Sequence, residues 1–292
     1  MMPPDTIPTA RRVIAQHPAK RDDIGDLVTR RPLPGPGLDQ LDPFLFLNHH
    51  GPQTYPANNR GLPFGPHPHR GFETVTFILE GSLAHADSAQ HQSVINAGGV
   101  QWMTAGSGIV HAEISPPEFL RDGGLLEILQ LWVNLPSRLK MSEPRYVGLQ
   151  QASIPAIALP GGGELNLIAG EWQGSAGPID TLTGVFMSTL RLPAGSHEQL
   201  PVASGRQVFL YVVDGDVTVG GEPVKSHHLI EVDRDGDRLD IGASSNARLL
   251  FGHGEVIDEP VYSHGPFVMN TREEIVQAVE DYQNGKFGGL TL

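Results

Sequence analysis

Apolar and polar residues alternate with a period of two along most of the chain, and this pattern predicts β-strands rather than helices. The clearest segments, Thr74–Glu80 and Leu125–Val133, are rich in β-branched, aromatic and other large apolar residues. The pattern predicts further strands at Arg11–Ala15, Asp42–Leu47, Ser93–Ile95, Val100–Thr104, Asn166–Ala169, Gly184–Leu192, Gln207–Val213, Val217–Val219, His228–Val232 and Arg248–Gly252. The Pro/Gly/Asn-rich segment from Gly51 to Pro66 is expected to be a loop.

One helix is predicted near the end of the chain, over Arg272–Asn284. Asn270 and Thr271 precede it, and side chains of these types accept hydrogen bonds from the free N–H groups of a first helical turn. Glu273 and Glu274 add the negative charge that favours a helix start. One face of this helix is apolar and consists of Ile275, Val279 and Tyr282. Such a face predicts that the helix packs against another part of the protein.

One short sequence pattern occurs twice in the chain. Gly71–Gly81 and Gly205–Gly215 each begin with glycine, continue as an apolar strand and end with an acidic residue and glycine. Any strand that ends in Glu-Gly or Asp-Gly would match to this extent. The order of the surrounding predicted strands also matches, which favours a true repeat of one architecture.

The length of 292 residues suits two domains of ordinary size. We expect residues 1–138 to form a first domain and residues 139–255 to form a second. A polar segment with two prolines, residues 136–146, would link them. Residues 256–292 are expected to form a tail whose helix packs back on the first domain. The fold class predicted is therefore all-β, with two sandwiches in tandem and a C-terminal helix.

Composition excludes several kinds of site. A formal charge of −13 argues against a nucleic-acid surface, which needs clustered lysine and arginine. The sequence contains no cysteine, so disulfides, thiolate nucleophiles and iron–sulfur clusters are impossible, and a metal must use imidazole and carboxylate ligands. Met1–Lys20 lacks the apolar stretch of a signal peptide, and no run of about 18 apolar residues predicts a membrane helix. A cytoplasmic location is expected.

Two pairs of residues carry the chemistry, His67-Pro-His69 and His111-Ala-Glu113. Residues at positions i and i+2 of a strand point to the same face, so each pair directs two ligand atoms into one space. Either pair alone is often an exposed surface feature. Together they predict a site of three imidazoles and one carboxylate, which suits divalent iron, nickel, copper, cobalt or zinc.

The remaining histidines are not predicted to bind metal. His49 and His50 are candidates for the mouth of a pocket. His85 and His91 lie near an expected turn and are predicted to be solvated. The pair His227-His228 has no partner pair in its half of the chain.

Several longer segments carry a family resemblance, namely Leu41–Leu45, His67–Thr76, Gln101–Gly106, Gly108–Glu113, Leu129–Asn134 and Gly265–Thr271. Through them the chain resembles the pirin family of the cupin superfamily over nearly its whole length. The resemblance implies two tandem cupin β-sandwiches, also called double-stranded β-helices or jelly rolls, with a metal in the N-terminal one only. It implies that His67, His69, His111 and Glu113 are the ligands and that Fe²⁺ is the metal, with copper, nickel, cobalt, manganese and zinc left open.

The chain departs from the wider cupin pattern at its carboxylate. That pattern has four residues between the His-x-His and a glutamate, which places the glutamate where this chain has Thr74, and it has a proline where this chain has Gly106. Glu73 lies one residue before the expected position. We therefore expect Glu113 to replace it as ligand and Glu73 to be structural; if Glu73 bound the metal, Glu113 would be a free acid or base.

The repeat alignment predicts that the second domain binds no metal. It places Pro201 at the position of His67 and Ala203 at the position of His69. The second domain also lacks a His-x-Glu pair in the corresponding region. It is expected to contribute stability and to close the cleft.

Two functions remain open from the sequence. Pirins are described as quercetin 2,3-dioxygenases in bacteria, which implies a flavonol and O₂ as substrates, Glu113 as the proton acceptor and release of carbon monoxide on ring opening. Phe64, Phe72 and Trp102 are candidates for the wall of an apolar pocket. Pirins are also described as iron-binding nuclear cofactors in animals, which implies a non-enzymatic, metal- and redox-dependent regulator that binds a protein partner. A vestigial scaffold would show the same ligands.

Overall fold

The structure is a computed structural model and describes residues 9–291, which form β-strands for the most part. The first strands are β1 (Val13–Pro18), β2 (Lys20–Arg21), β3 (Thr29–Leu33), β4 (Phe44–Tyr55), β5 (Phe64–His69), β6 (Phe72–Glu80), β7 (Ser82–Asp87), β8 (Gln92–Asn96), β9 (Val100–Thr104), β10 (Ile109–Ile114), β11 (Gly124–Asn134) and β12 (Arg145–Leu149).

The later strands are β13 (Ala156–Ala158), β14 (Glu164–Ala169), β15 (Glu171–Trp172), β16 (Ser175–Ala176), β17 (Phe186–Leu192), β18 (His197–Pro201), β19 (Gln207–Asp214), β20 (Val217–Val219), β21 (Glu222–Val224), β22 (His228–Val232), β23 (Arg238–Ala243), β24 (Ala247–Gly254), β25 (Tyr262–His264) and β26 (Phe267–Met269). Two α-helices, α1 (Pro117–Asp122) and α2 (Arg272–Gln283), accompany short 3₁₀ turns at Ser137–Leu139 and Gln151–Ser153. The predicted all-β class with a C-terminal helix is confirmed.

The chain divides into two compact units. One unit contains residues 9–19 and 155–256, and the other contains residues 20–154 and 257–291. The first strand therefore does not lie in the domain to which the sequence prediction of 1–138 assigned it, because β1 pairs with β22, with Val13 opposite Val232. Strand β12 lies in the other unit, where Tyr146 pairs with Met103 of β9. The period of a strand does not identify the sheet that it joins.

The unit of residues 20–154 and 257–291 holds both predicted metal-binding pairs. Its larger sheet has seven strands in the order β12-β9-β6-β11-β4-β3-β2, and its smaller sheet has four in the order β5-β10-β7-β8. Between the sheets lies an apolar core that includes Ile78, Leu83, Ile95 and Ile128. This core is separate from the histidines, so the sandwich has apolar packing of its own.

The unit of residues 9–19 and 155–256 repeats this construction. It has a seven-stranded sheet, β1-β22-β19-β24-β17-β14-β13, and a four-stranded sheet, β18-β23-β20-β21. Strands β6 and β19, which carry the repeated sequence pattern, are each paired on both sides within the larger sheet of their unit. Each is followed by a glycine with positive φ, Gly81 at 83° and Gly215 at 84°. Large apolar residues such as Trp172, Phe186 and Phe251 fill the core of this unit.

Helix α2 begins at the predicted residue. The Thr271 side chain accepts a hydrogen bond from the backbone N–H of Glu274, whose carboxylate in turn accepts one from the Thr271 N–H. The helix packs into a cluster that includes Val110, Phe267, Ala278 and Phe287. Of the predicted apolar face, Ile275 and Val279 pack against this cluster, and the ring of Tyr282, which is 40% exposed, lies 5.8 Å from that of Phe287.

The predicted loop between β4 and β5 is shorter than the sequence indicated. Strand β4 continues to Tyr55 and strand β5 begins at Phe64, so the loop covers residues 56–63 rather than 51–66. Helix α1 was not predicted, since its six residues give too little periodicity to recognise.

No helix within residues 9–291 is long and apolar enough to cross a membrane. The expectation for the N-terminus concerns residues 1–8 in part, and these lie outside the described residues.

The packing of the C-terminal segment predicts a measurable contribution to stability. Phe287 is 4% exposed and packs in the same cluster as Val110. Phe287→Ala should therefore lower the free energy of unfolding by about 3 kcal/mol, measured by urea denaturation. Val276→Ala, on an exposed position of α2, should change it by no more than about 0.5 kcal/mol. Equal effects of the two substitutions would show that the segment is a loosely attached tail.

Candidate metal centre

Antiparallel pairing of β5 with β10 brings the two predicted motifs together. His67 lies opposite His111, and His69 lies opposite Ile109. Residues at i and i+2 of each strand share a face, so the three imidazoles point to the same side of the sheet. Their ring centroids are 4.4 Å apart for His67 and His111, 4.9 Å for His67 and His69, and 5.0 Å for His69 and His111.

The three histidines offer one nitrogen each to a common point, and these nitrogens lie within 4.8 Å of one another. Two nitrogens bound to the same metal ion are roughly 3–4 Å apart. Small rotations of the rings would therefore bring all three to a single ion. Within residues 9–291 this is the one group of three or more possible metal-binding side chains at such distances.

Backbone carbonyls orient two of the imidazoles. The Nδ1 atom of His67 lies 2.7 Å from the Gly65 oxygen, and the Nδ1 atom of His69 lies 3.2 Å from the Pro266 oxygen. A carbonyl oxygen can only accept a hydrogen bond, so in each neutral ring the proton is on Nδ1. The Nε2 atom then has a free lone pair, as in histidines that bind metals.

The His111 side chain is buried, and neither of its ring nitrogens has a hydrogen-bond partner. Buried polar atoms without a partner are rare, because each loses its hydrogen bonds to water without replacement. A bound cation would give one of these nitrogens a partner. This property, together with the two oriented rings, shows that the residues present fit a metal ion.

Burial also keeps the imidazoles in the form that binds metals. It lowers the pKa of His69 to about 3, with a smaller contribution from His67. Burial, followed by the neighbouring histidines, lowers the pKa of His111 well below its usual value. Both rings are therefore neutral at pH 7, and only neutral imidazole can donate its lone pair to a metal.

Glu113 lies two residues after His111 on β10 and is buried, but its carboxylate is not part of the three-nitrogen group. The Thr76 hydroxyl donates a hydrogen bond of 2.7 Å to one carboxylate oxygen, and the Gln130 amide donates to the other. Thr76 and Gln130 are cross-strand neighbours on the larger sheet. The carboxylate is thus held between the two sheets, and each oxygen keeps a lone pair for a further partner.

Glu73 lies on the opposite face of its strand from Thr76, because the two residues are three positions apart. Its carboxylate accepts a hydrogen bond of 2.6 Å from Thr104, and burial raises its pKa. Glu73 therefore lies on the face of β6 away from Glu113, and the residue that contacts Glu113 from β6 is Thr76.

Aromatic side chains cover one side of the histidine cluster. The rings of Phe72 and Trp132 lie 5.0 Å and 5.4 Å from the ring of His69. Phe46 stacks on Trp132 at 4.6 Å. Trp102 was a wrong candidate for this wall, because its strand register with Val75 places it on the other face of the sheet.

A cavity of about 240 Å³ lies beside this aromatic wall. Its lining includes Phe46, Trp132, Leu45 and Val268, with Gln40 among its polar residues. Phe64, another predicted wall residue, packs instead near His50, with the two ring centroids 5.3 Å apart.

His85 is a feature of the site that sequence reasoning missed. It is buried rather than solvated, lies opposite Glu113 on the neighbouring strand β7, and has its ring 5.5 Å from that of His111. Its Nε2 atom lies 3.0 Å from the carboxylate of Asp87, and its ring stacks on Tyr146 at 3.9 Å. The signal was present, since His85-Ala-Asp87 has the same i, i+2 spacing as the two motifs that were recognised.

His49 and His50 form hydrogen bonds in other parts of the fold. His49 lies 3.0 Å from the carboxylate of Glu127, and His50 lies 2.8 Å from the hydroxyl of Thr29. Both are fully buried, so neither forms the mouth of a pocket. His91 is partly exposed, as predicted.

Comparison with known proteins places these observations in a family. The family model described as Pirin matches residues 26–133, and that described as Pirin C-terminal cupin domain matches residues 187–288. The chain is 44% identical to a candidate quercetin 2,3-dioxygenase of Pseudomonas aeruginosa over 248 residues, 85% of this chain and 87% of that protein. It is 42% identical to a pirin-like protein of Caulobacter vibrioides over 91% of this chain and 94% of that protein.

A solved structure supports the same assignment. The crystal structure of quercetin 2,3-dioxygenase from Acinetobacter baumannii matches with a TM-score of 0.90 and 35% identity, covering 97% of this chain and 100% of that one. The predicted pair of cupin domains is confirmed by this match and by the two family models. The chain therefore belongs to the pirin family of cupin proteins.

Proposed function

We propose that this pirin is a metal-dependent dioxygenase that acts on a flavonol such as quercetin. One divalent ion, Fe²⁺ in our proposal, would be held by His67, His69, His111 and Glu113. The observation that carries the proposal is the buried His111 ring with no partner for either nitrogen, beside two imidazoles whose Nδ1 atoms are already bonded. The names of the relatives from Pseudomonas and Acinetobacter support the substrate class.

Charge supports a monoanionic substrate. Three neutral imidazoles, one carboxylate and a divalent cation sum to a charge of about +1 in a buried site. A flavonol that has lost the proton of its 3-hydroxyl would neutralise this charge. A site of this kind discriminates against neutral aromatics, because they would leave the charge uncompensated in a low-dielectric interior.

When bound, the metal would supply Lewis acidity toward the 3-hydroxyl and a route for electrons to O₂. In the overall reaction O₂ adds to the flavonol, the heterocyclic ring opens and one carbon atom leaves as carbon monoxide. Both oxygen atoms of O₂ remain in the products.

Glu113 is the residue that we assign to accept the hydroxyl proton. Its two hydrogen bonds, from Thr76 and Gln130, fix the carboxylate without neutralising it. A base held in one position loses little entropy when it reacts, which is how positioned carboxylates contribute to proton transfer. Phe72 and Trp132 would exclude water from the side of the site next to His69.

The metal assignment predicts one ion per chain, bound at the histidine cluster. His111→Ala should remove most of the metal found by elemental analysis, because it deletes the nitrogens that lack partners. His228→Ala should leave it unchanged, since the Nδ1 atom of His228 already bonds to the Ser226 oxygen. Both variants should keep their β-sheet circular dichroism, as the apolar core is separate from the site. Full metal content in His111→Ala would contradict the assignment.

The role of Glu113 can be separated from ligand binding by Glu113→Gln. An amide oxygen can still reach the metal but cannot accept the proton. Turnover of quercetin per bound Fe²⁺, measured as O₂ uptake and carbon monoxide release after anaerobic reconstitution, should fall by about 10²–10⁴-fold. Thr76→Val is the matched control for the position of the Glu113 carboxylate, because it removes one hydrogen bond to that carboxylate and keeps the base.

If Glu113 is only a ligand, turnover per bound Fe²⁺ in Glu113→Gln will stay at the wild-type value, and only the metal content will fall. If the wild-type chain loaded with iron, copper, nickel, cobalt or manganese consumes no O₂ with any flavonol, the enzyme assignment is wrong. A metal-dependent regulator that binds a protein partner would then be the better account.

A further inference from the structure

We propose that the C-terminal segment positions the metal ligand His69, so that metal affinity depends on an ion pair outside the ligand set, Arg70–Asp281. This inference rests on the metal site proposed above. The C-terminal segment is defined here as Gly265–Phe287, which comprises the turn before β26, strand β26, helix α2 and the residues that follow it. It lies almost two hundred residues beyond His69 in the chain and in the same compact unit.

The first link is a direct contact. The oxygen of Pro266 lies 3.2 Å from the Nδ1 atom of His69 and is the acceptor that fixes this ring. The next residue continues the connection, since the Arg70 N–H lies 3.4 Å from the same oxygen and the Val268 N–H donates 3.1 Å to the Arg70 oxygen. The end of β5 and the start of β26 therefore run side by side as a parallel bridge between Arg70 and Phe267.

The second link is the side chain of Arg70. Its guanidinium lies 2.9 Å from the carboxylate of Asp281 on helix α2, with the two side chains 5% and 10% exposed. It also stacks 4.6 Å over the ring of Phe287, and its Nε donates 2.7 Å to the Ser107 oxygen. The residue next to a metal ligand is therefore attached to the helix by an ion pair and an aromatic contact.

The third link is the buried Lys140. Its ammonium group donates to the oxygens of Gly71 at 2.9 Å and of Val268 at 3.1 Å, and to the Asn134 side chain at 2.7 Å. Gly71 permits this close approach, because a Cβ there would lie 2.0 Å from the Val268 oxygen and its φ is +90°. Lysine and glycine together hold β26 against the chain that leaves His69.

These links predict how a distant change would reach the site. Removing the charge of Asp281 leaves the Arg70 guanidinium with a neutral partner in a buried place, which costs free energy and favours a shift of the segment. The Pro266 oxygen would shift with it, and His69 would lose the acceptor that selects its tautomer. Loss of such an orienting partner typically weakens metal binding about 10–100-fold.

The coupling must also act in the other direction. If the segment favours metal binding, then bound metal must stabilise the segment by the same free energy. The amide of Val268, bonded to Arg70, and the amides of α2 should therefore exchange with solvent more slowly when metal is bound. Amides in the unit of residues 155–256 should show no such change.

The experiment measures the Kd for Ni²⁺ by competition with a chelator in the full-length protein. Asp281→Asn should raise the Kd about tenfold, and Asp281→Glu, which keeps the charge, should restore most of the affinity. Two variants serve as controls. Glu280→Gln removes an exposed charge on the same helix. Glu198→Gln removes the charge of a buried carboxylate that accepts hydrogen bonds from the Gly161 and Gly163 N–H groups in the other unit.

A purely structural role for the ion pair would lower the melting temperature of Asp281→Asn and leave its Kd for Ni²⁺ at the wild-type value, and that result would overturn the inference. If Asp281→Asn does not fold, exchange in the wild-type protein decides, because equal protection of Val268 and α2 with and without Ni²⁺ also overturns it. A wild-type protein that binds no Ni²⁺, Fe²⁺ or other divalent ion would instead overturn the metal site itself, and this inference with it.

Discussion

The pairing register between β5 and β10 is the constraint on which the site depends. It places His67 opposite His111, and the alternation of side chains then brings His69 and Glu113 to the same face. A shift of one residue would turn these side chains to the other side of the sheet. The register is supported from both sides, because β10 also pairs with β7, with His111 opposite Asp87 and Glu113 opposite His85.

Burying the polar groups of the site costs free energy, and hydrogen bonds from the surrounding structure offset most of that cost. The imidazoles of His67 and His69 bond to backbone oxygens, and the Glu113 carboxylate bonds to Thr76 and Gln130 from the facing sheet. Of the three imidazoles, that of His111 has no partner for either nitrogen. An apolar interior that leaves one imidazole unsatisfied, next to two that are oriented, is what a preformed metal site requires.

Local sequence predicted the parts of the molecule whose geometry is local. Spacing at i and i+2 predicted that His67, His69 and His111 lie together, and the capping residues predicted the start of α2 at Arg272, directly after Thr271. It did not predict that the Pro266 oxygen contacts His69 or that Trp132 rather than Trp102 lies beside it, because both depend on which strands become neighbours. The prediction of a solvated His85 is wrong for a different reason: the residue lies close to a turn, but the alternation of side chains along β7 buries it.

The most direct test of a metal centre is anomalous X-ray diffraction from crystals grown with Fe²⁺ without oxygen. The account predicts a single site per chain, with the ion about 2.0–2.2 Å from one nitrogen each of His67, His69 and His111 and from an oxygen of Glu113. An ion bound elsewhere, or a protein fully exposed to Fe²⁺ in which both His111 nitrogens remain unbound, would contradict it.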